Sequence, residues 1–138
     1  MWLLSQNVLL QCCMSHIVTI YLKNVKHRYG NVRIGFFTNK KDFDTLATDK
    51  DIEFIIPVKK SFDGKIVIRR VPTGTYAIAL YQDLDYDTDM KRAGVLGIPK
   101  EPFGFSRNPK LGIRSPKWEQ CAFSLKKNVS LTINLHHM

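Results

Sequence analysis

Alternating carboxylates are the clearest candidate for chemistry in this sequence. Four aspartates occupy every second position directly after an apolar run: Asp83, Asp85, Asp87 and Asp89. Carboxylates spaced in this way can fold around a hard cation, and Ca²⁺ accepts about six to eight oxygen ligands in flexible loops. An EF-hand would have glycine at Thr88 and a bidentate glutamate at Gly94. The spacing therefore predicts either a site for Ca²⁺ or an acidic loop that is only solvated.

A second candidate is the segment 90–118, which is strongly basic and carries interleaved aromatic residues. Basic and aromatic side chains together bind anionic polymers through ion pairing and stacking. The aromatic rings could instead pin this segment onto the rest of the domain. Without an RNA-binding or zinc-finger signature, an anionic glycan or a protein is a better candidate partner than nucleic acid. The candidate ligand-binding residues are Glu101, Phe103, Phe105, Arg107, Asn108, Lys110, Arg114, Lys117 and Trp118.

Signatures of catalysis are missing from the sequence. It contains no G-x-S-x-G, H-E-x-x-H or C-x-x-C motif and no glycine-rich phosphate loop. Its histidines are scattered, with His16 and His27 far from the adjacent His136 and His137. The sequence therefore favours a protein that is not an enzyme. A hydrolase whose site is assembled only in the fold remains the alternative.

Composition limits the classes of protein that could hold these residues. The 138 residues are 44% hydrophobic and 24% charged, which is typical of one soluble domain. The net charge of +9 permits anionic partners. No apolar stretch approaches the roughly 20 residues that span a bilayer. Three cysteines, two of them adjacent, cannot form a disulfide framework.

The elements that position the candidate residues follow a period of two, which is typical of β-strands. We expect 17–22 to be buried on both faces and to form a hairpin with 32–37. We expect 121–125 to pair with 129–135 as the closing strands. A short helical turn is expected near Asp42. The strands predicted in this way are 17–22, 32–37, 52–56, 66–71, 76–81, 121–125 and 129–135.

This pattern predicts an all-β fold, an antiparallel β-sandwich of seven or eight strands with one long ordered loop over 83–118. Residues 15–138 are expected to form a single domain. Residues 1–14 are interpreted as an N-terminal extension or a degenerate export signal, because the first basic residue is Lys23. Translation from Met14 would favour the cytoplasm.

The middle of the chain also resembles a known family. The runs G-T-Y-A-I-A-L-Y-Q-D-L-D-Y-D, L-G-I-P-K-E-P-F-G-F-S-R-N and P-K-W-E-Q-C-A-F are similar to the bacterial domain of unknown function 2141. The resemblance covers roughly 18–135. It implies a small protein, periplasmic or secreted, with a sandwich of the transthyretin, carboxypeptidase-regulatory or Ig-like type and no established activity. In the acidic loop, Gln82 and Thr88 replace the family's histidine and glycine.

Overall fold

Strands form where apolar and polar side chains alternate along the chain. The computed structural model describes residues 14–45, 52–84, 101–112 and 114–137, and the backbone alone of 92–93 and 98–99. Two short helices are α1 (Lys40–Thr45) and α2 (Trp118–Cys121). The described strands are β1 (Ser15–Lys23), β2 (Asn31–Phe37), β3 (Ile52–Pro57), β4 (Lys65–Pro72), β5 (Gly74–Asp83), β6 (Arg92–Ala93), β7 (Ile98–Pro99), β8 (Phe103–Phe105), β9 (Phe123–Leu125) and β10 (Val129–Asn134).

Eight of these strands form two sheets. The three-stranded sheet has the order β10-β1-β4, and the five-stranded sheet has the order β3-β2-β5-β8 with β9 also paired to β5. β6 and β7 pair only with each other among the described strands. All described strand pairings are antiparallel except that of β1 with β10, which is parallel from Val18–Val129 to Lys23–Asn134. The predicted all-β sandwich is confirmed, with this one parallel pairing added.

Neither of the two predicted hairpins forms. β1 lies in the three-stranded sheet and β2 in the five-stranded sheet, so residues 24–30 cross between the layers. Likewise, β9 pairs with β5 whereas β10 pairs with β1. Alternation of apolar and polar residues determines which face of a strand is buried. It does not determine whether the next strand in the sequence pairs with it in the same sheet or lies in the opposite sheet. The hairpin predictions were therefore wrong.

The main core lies between the two sheets. Val18, Ile20 and Leu22 of β1 point into it, whereas Thr19 is half-buried and Tyr21 is 38% exposed on the other side. β1 is thus buried on one face, not on both as predicted. β10 follows its predicted alternation, and the remaining buried residues of this core include Val32, Ile34, Phe36, Ile66, Ile68, Tyr76, Ile78, Leu80, Leu125 and Ile133.

β5 is the strand that is buried on both faces, because a second apolar cluster covers the outer face of the five-stranded sheet. Tyr76, Ile78 and Leu80 belong to the main core, and Ala77 and Tyr81 belong to the outer cluster. The cover consists of α1 and α2, and β8 lies beside β5 in the sheet itself, with its phenylalanine side chains in the outer cluster. These elements contribute Phe43, Phe103, Phe105 and Cys121 to the outer cluster, with Trp118 packed against it.

Local side-chain to backbone hydrogen bonds stabilise the start of α1 and the corner between β4 and β5. Asn39 Oδ1 accepts the backbone N–H of Asp42 at 2.9 Å, so Asn39 caps α1, the helical turn expected near Asp42. At the corner, Tyr76 donates its hydroxyl to the carbonyl of Pro72 at 2.7 Å, as in the tyrosine corner of Ig-like domains. Among the described helices, none has the length and apolar composition to cross a membrane.

β8 and β10 bring the two sheets together along one side of the sandwich. His136 donates its backbone N–H to Phe103 at 2.8 Å and accepts the N–H of Phe103 at 3.2 Å. Gly104 packs directly under β10, since a Cβ there would lie 2.6 Å from Ile133 Cγ2. A side chain at position 104 would push β8 away from β10, so this close approach requires glycine.

Candidate functional site

The acidic loop begins at the end of β5, where Asp83 is fully buried and pairs with Asn31 of β2. The other predicted cation ligands, Asp85, Asp87 and Asp89, lie outside the described residues. Within the part of the chain that the structure describes, no group of three or more His, Cys, Asp or Glu side chains is placed to hold a metal ion. The Ca²⁺ site therefore remains a prediction.

Glu101 fixes the base of the acidic loop. It is 5% exposed, and its Oε2 accepts the backbone N–H of Leu84 at 2.8 Å. Next to it, Gln82 donates its backbone N–H to the carbonyl of Pro102 at 2.8 Å. These bonds join the end of β5 to the segment that leads into β8. Glu101 is thus buried, with its carboxylate bonded to the backbone of the acidic loop.

The aromatic residues of the basic segment pin it onto the five-stranded sheet. Phe103 and Phe105 are 8% and 5% exposed, and their ring centroids lie 5.8 Å apart in an edge-to-face contact. Phe43 of α1 meets Phe105 at 6.2 Å and the half-buried Trp118 at 6.3 Å. The two phenylalanine rings have little exposed surface for stacking on a ligand, in agreement with the structural alternative raised by the sequence.

Arg107 and Asn108 attach the segment to backbone groups of its neighbours. Both lie in the left-handed region, at φ 65° and 44°. Arg107 Nη1 donates to the carbonyls of Glu119 and Ala122, each at 3.3 Å. Asn108 uses both ends of its amide on the free edge of β10: Nδ2 donates to Thr132 O at 2.7 Å, and Oδ1 accepts from Asn134 N at 2.9 Å. Asn108 therefore bonds to the edge of β10 that no described strand occupies.

The remaining basic residues of the segment are exposed. Lys110, Arg114 and Lys117 all point to solvent. They follow the point where Asn108 joins the segment to β10. The structure therefore divides the predicted ligand-binding residues into a buried group, a group bonded to the backbone and a group of exposed cations.

A larger set of exposed cations, which the sequence analysis missed, lies on the three-stranded sheet. We call its outward surface the basic face. Its strands and the turn 126–128 contain basic residues and no aspartate or glutamate. By contrast, Arg33 on the five-stranded sheet pairs with Glu53 at 2.5 Å. The basic face comprises Ile17, Thr19, Tyr21, Lys23, Lys65, Val67, Arg69, Arg70, Lys126, Lys127, Ser130, Thr132 and Asn134.

The register arranges the basic face in rows. Tyr21 lies between Lys65 of β4 and Thr132 of β10, and the next row places Thr19 between Val67 and Ser130. Arg69 lies four positions after Lys65 in β4, or about 13 Å along the strand. The face is thus cationic at both ends, with a tyrosine ring and hydroxyl groups between them.

A β-bulge turns two consecutive arginines of β4 outward. His16 pairs with Val71 and Val18 with Ile68, which leaves Arg69 and Arg70 opposite Ile17 alone. Arg70 has φ 63°, and both arginines are exposed. In a regular strand, one of two adjacent side chains would point into the core. The alternation of the sequence predicts Lys65 and Arg69 on the outer face, but it contains no signal for the bulge.

A network of side-chain ion pairs joins α1 to α2 on the outer face of the five-stranded sheet. Lys40 Nζ lies 2.8 Å from Asp44 Oδ2 and 2.7 Å from Glu119 Oε1, and Asp44 Oδ1 accepts the N–H of Trp118 at 2.8 Å. Burial opposes ionisation of Asp44, but the bonds from Lys40 and Trp118 together hold its pKa below the usual value. The hydrogen bond from Lys40 likewise lowers the pKa of Glu119, and Asp44 and then Glu119 raise the pKa of Lys40. This cluster holds the cover in place.

Two of the described nucleophiles, the Thr73 hydroxyl and the Cys121 thiol, are not activated. Thr73 donates its hydroxyl to Met14 O, so His16 Nε2, 2.7 Å from that hydroxyl, must donate a proton to it rather than accept one. Cys121 is fully buried, and burial raises the pKa of its thiol to about 12. A thiol with that pKa is almost entirely protonated at neutral pH. Because the thiolate is the nucleophilic form, Cys121 is unreactive in the folded protein.

Comparison with known proteins identifies the family but adds no activity. Residues 20–133 match the family described as "Uncharacterized protein conserved in bacteria (DUF2141)". The chain belongs to this family. No curated protein and no solved structure matches the sequence significantly. The resemblance noted from the middle of the sequence is therefore confirmed over most of the chain.

Proposed function

We propose that the protein is a non-enzymatic binding module that holds an acidic polysaccharide on the basic face. The observation that carries this proposal is the concentration of exposed cations on a sheet whose strands contain no carboxylate. The bulge strengthens it, because Arg70 occupies a backbone conformation that is unfavourable for a side chain and so presents a second arginine beside Arg69. Cations arranged in this way favour a polymer with repeated negative charges.

The centre of the face favours a sugar over a nucleic acid. Tyr21 is 38% exposed and is flanked by the threonine hydroxyls of Thr19 and Thr132. A tyrosine ring can pack on the apolar side of a sugar, and the hydroxyls can bond to sugar hydroxyls. Non-specific binders of single-stranded nucleic acid instead use several aromatic rings for successive bases. Among the described residues of this face, Tyr21 is the single aromatic ring.

The arrangement of the other reactive groups supports binding rather than catalysis. The Thr73 hydroxyl is committed to a backbone carbonyl, and the Cys121 thiol is protonated and buried. Cys121 lies in the outer cluster on the five-stranded sheet, away from the basic face. A hydrolase would need a nucleophile or a carboxylate pair beside the bound polymer.

Two expectations from the sequence extend this proposal. Location in the periplasm or outside the cell, implied by the family resemblance, would expose the basic face to acidic polysaccharides of the bacterial envelope. Cell fractionation tests the location, and recovery with cytoplasmic proteins would contradict it. The acidic loop would add a bound Ca²⁺; a melting temperature unchanged by millimolar Ca²⁺, in both the wild type and Asp85→Ala, would remove that expectation.

The binding test compares two triple variants with the same charge. Lys65→Gln, Arg69→Gln and Arg70→Gln together change the basic face, whereas Lys110→Gln, Arg114→Gln and Lys117→Gln change the exposed cations of the basic segment. Each variant lowers the net charge from +9 by three, to +6. The probes are fluorescent heparin, polygalacturonate and a single-stranded DNA of matched charge, titrated at several salt concentrations.

We expect the basic-face variant to bind both glycans more weakly. The slope of log affinity against log salt concentration should fall in magnitude by about 2, because binding with fewer ionic contacts releases fewer counterions. The segment variant should keep most of the affinity. Equal losses in both variants would indicate a response to net charge alone and would overturn the proposal. Loss confined to the segment variant, tighter binding of DNA than of either glycan, or no saturable binding would also overturn it.

A further inference from the structure

Three of the four histidines gather at one end of the sandwich, next to the connection from β1 to β2. The imidazole centroids of His27 and His137 lie 5.8 Å apart at an angle of 54°. His136, beside His137, is turned the other way and packs on Phe103 with a centroid distance of 5.5 Å. His27 and His137 are 110 residues apart in the sequence, so only the fold makes them a pair.

The hydrogen bond of His137 sets which of its ring nitrogens is free. Its Nε2 lies 2.7 Å from the backbone carbonyl oxygen of Asn24. A carbonyl oxygen can only accept, so Nε2 carries a proton, and the neutral ring then has its lone pair on Nδ1. Histidines that ligate metals usually donate their second N–H in this way to a carbonyl or carboxylate. His137 therefore has the tautomer and the orienting bond of a metal ligand.

The backbone at both histidines is held by hydrogen bonds that leave Nδ1 of His137 and the imidazole of His27 unused. The buried Gln82 donates its Nε2 to the carbonyls of His27 and Tyr29, at 2.9 and 2.8 Å. The ring of Tyr29 contacts that of His27 edge-on at 5.7 Å. On the other side, the two backbone bonds between His136 and Phe103 fix the chain immediately before His137. The pair is thus positioned before any ligand binds.

We propose that His27 and His137 form a binding site for a divalent transition-metal ion of the zinc class. With metal–nitrogen distances of about 2.0–2.1 Å and angles at or above the tetrahedral value, two imidazoles on one ion have centroids roughly 5–6 Å apart. The observed separation falls in this range. Imidazole nitrogen prefers Zn²⁺, Cu²⁺ and Ni²⁺ to Ca²⁺. Two protein ligands leave the other coordination positions to solvent, so the site is open and exchangeable.

The test uses full-length protein without an affinity tag and Zn²⁺ as the probe. Calorimetric titration of the wild type should give saturable binding of one ion. His27→Gln and His137→Gln should each weaken it by at least about tenfold, since even an outer-shell partner of a metal ligand contributes that much. The matched control is His16→Gln, because His16 is also half-buried but lies near the start of β1, away from the pair.

Nitrogen-edited NMR of the histidine rings gives a second readout that a loss of folding cannot imitate. Zn²⁺ should shift Nδ1 of His137 and leave the proton on its Nε2. Equal loss of affinity in His16→Gln and His27→Gln would show diffuse binding to surface histidines and overturn the proposal. It would also be overturned if the wild type failed to saturate, or if Zn²⁺ left the His27 and His137 resonances in place.

Discussion

Ser106 joins three parts of the backbone with one hydroxyl group. It is fully buried, and its Oγ accepts the N–H of Ile78 at 2.9 Å and donates to the carbonyl of Cys121 at 2.7 Å. β8 pairs with residues 79–81 of β5 and β9 pairs with residues 74–76, so Ile78 lies in the gap between these two strands. The hydroxyl therefore satisfies two backbone groups that neither strand reaches. Its contribution is one of structure, even though it lies beside the predicted ligand-binding residues.

Replacing Ser106 by alanine should lower the free energy of unfolding by about 2 kcal/mol, because a buried donor and a buried acceptor both lose their partner. Chemical denaturation followed by circular dichroism measures this loss. Ser130→Ala is the control, since Ser130 is exposed on β10 and should change stability by less than about 0.5 kcal/mol. Equal stabilities of the two variants would contradict the role assigned to Ser106.

Arg70 should show opposite effects on stability and binding. Arg70→Gly removes a side chain from a residue with φ 63°, so the free energy of unfolding should stay the same or rise by up to about 1 kcal/mol. The same change should weaken binding to heparin, because it removes one cation of the basic face. Arg107→Gly is the comparison: φ there is 65°, but its guanidinium bonds to two carbonyls. A fall in stability with unchanged affinity in Arg70→Gly would contradict this interpretation.

At the scale of elements, the cover of the five-stranded sheet depends on how α1 meets α2. α2 has only four residues, too few to be stable as an isolated helix. Its first N–H is bonded by Asp44 from α1, and Lys40 lies between Asp44 and Glu119. Phe43 of α1 packs between Phe37, Phe105 and Trp118. Apolar packing supplies the contact area, and the ion network fixes the position of α2.

The ion network makes the docking of α1 and α2 sensitive to acid. The pKa values of Asp44 and Glu119 are lower in the folded state than in the unfolded chain, so their contribution is present above the unfolded values of 3.8 and 4.5 and is lost as the pH falls through the folded values. The raised pKa of Lys40 acts in the opposite direction: its contribution is lost only as the pH rises above 10.5.

We therefore expect the near-ultraviolet signal of Trp118 to weaken below about pH 4 before the β-sheet signal changes. The measurement uses a Trp2→Phe background, so that one tryptophan remains. In Asp44→Asn, which keeps an acceptor for the Trp118 N–H but loses the charge, this acid step should be smaller. An identical acid transition in both proteins would show that the network does not control the docking.

At the scale of the whole molecule, β5 belongs to two cores at once. Its residues alternate between the core inside the sandwich and the outer cluster under the cover. Opening either layer therefore exposes one face of the same strand. Cys121 lies at the end of α2 and is fully buried in the outer cluster. Its thiol reports whether the cover opens by itself or only when the sandwich unfolds.

The Cys121 thiol should react with an alkylating reagent only at the rate of opening. Burial raises its pKa to about 12, so little thiolate forms at neutral pH. A raised pKa also means that the contribution of this thiol to the free energy of unfolding is constant below its unfolded pKa of about 9 and declines as the pH rises towards 12. Timed alkylation in a Cys12→Ser, Cys13→Ser background measures the exposure. Modification as fast as that of a free thiol in urea would contradict the buried position.

Particular residues show how far the sequence could predict this structure. Val129, Leu131 and Ile133 alternate with polar residues, and that period alone identified β10 and its inner face. The same logic could not show that Asn108 bonds to the edge of β10, because its two partners are backbone groups 24 and 26 residues away. Predicted as a ligand-binding residue, Asn108 already uses its amide within the protein.

The sequence by itself determined the class of fold, the inward face of most strands and the family, since these depend on local alternation and on short runs of residues. Only the tertiary structure decided which strands are neighbours, which cations share a surface and which histidines meet. Those outcomes depend on how the apolar faces of the two sheets pack against each other. The period of two in each strand is equally compatible with several different neighbouring strands. Lys65, Arg69 and Arg70 came to share one exposed surface, and His27 and His137 became neighbours, only when the layers closed.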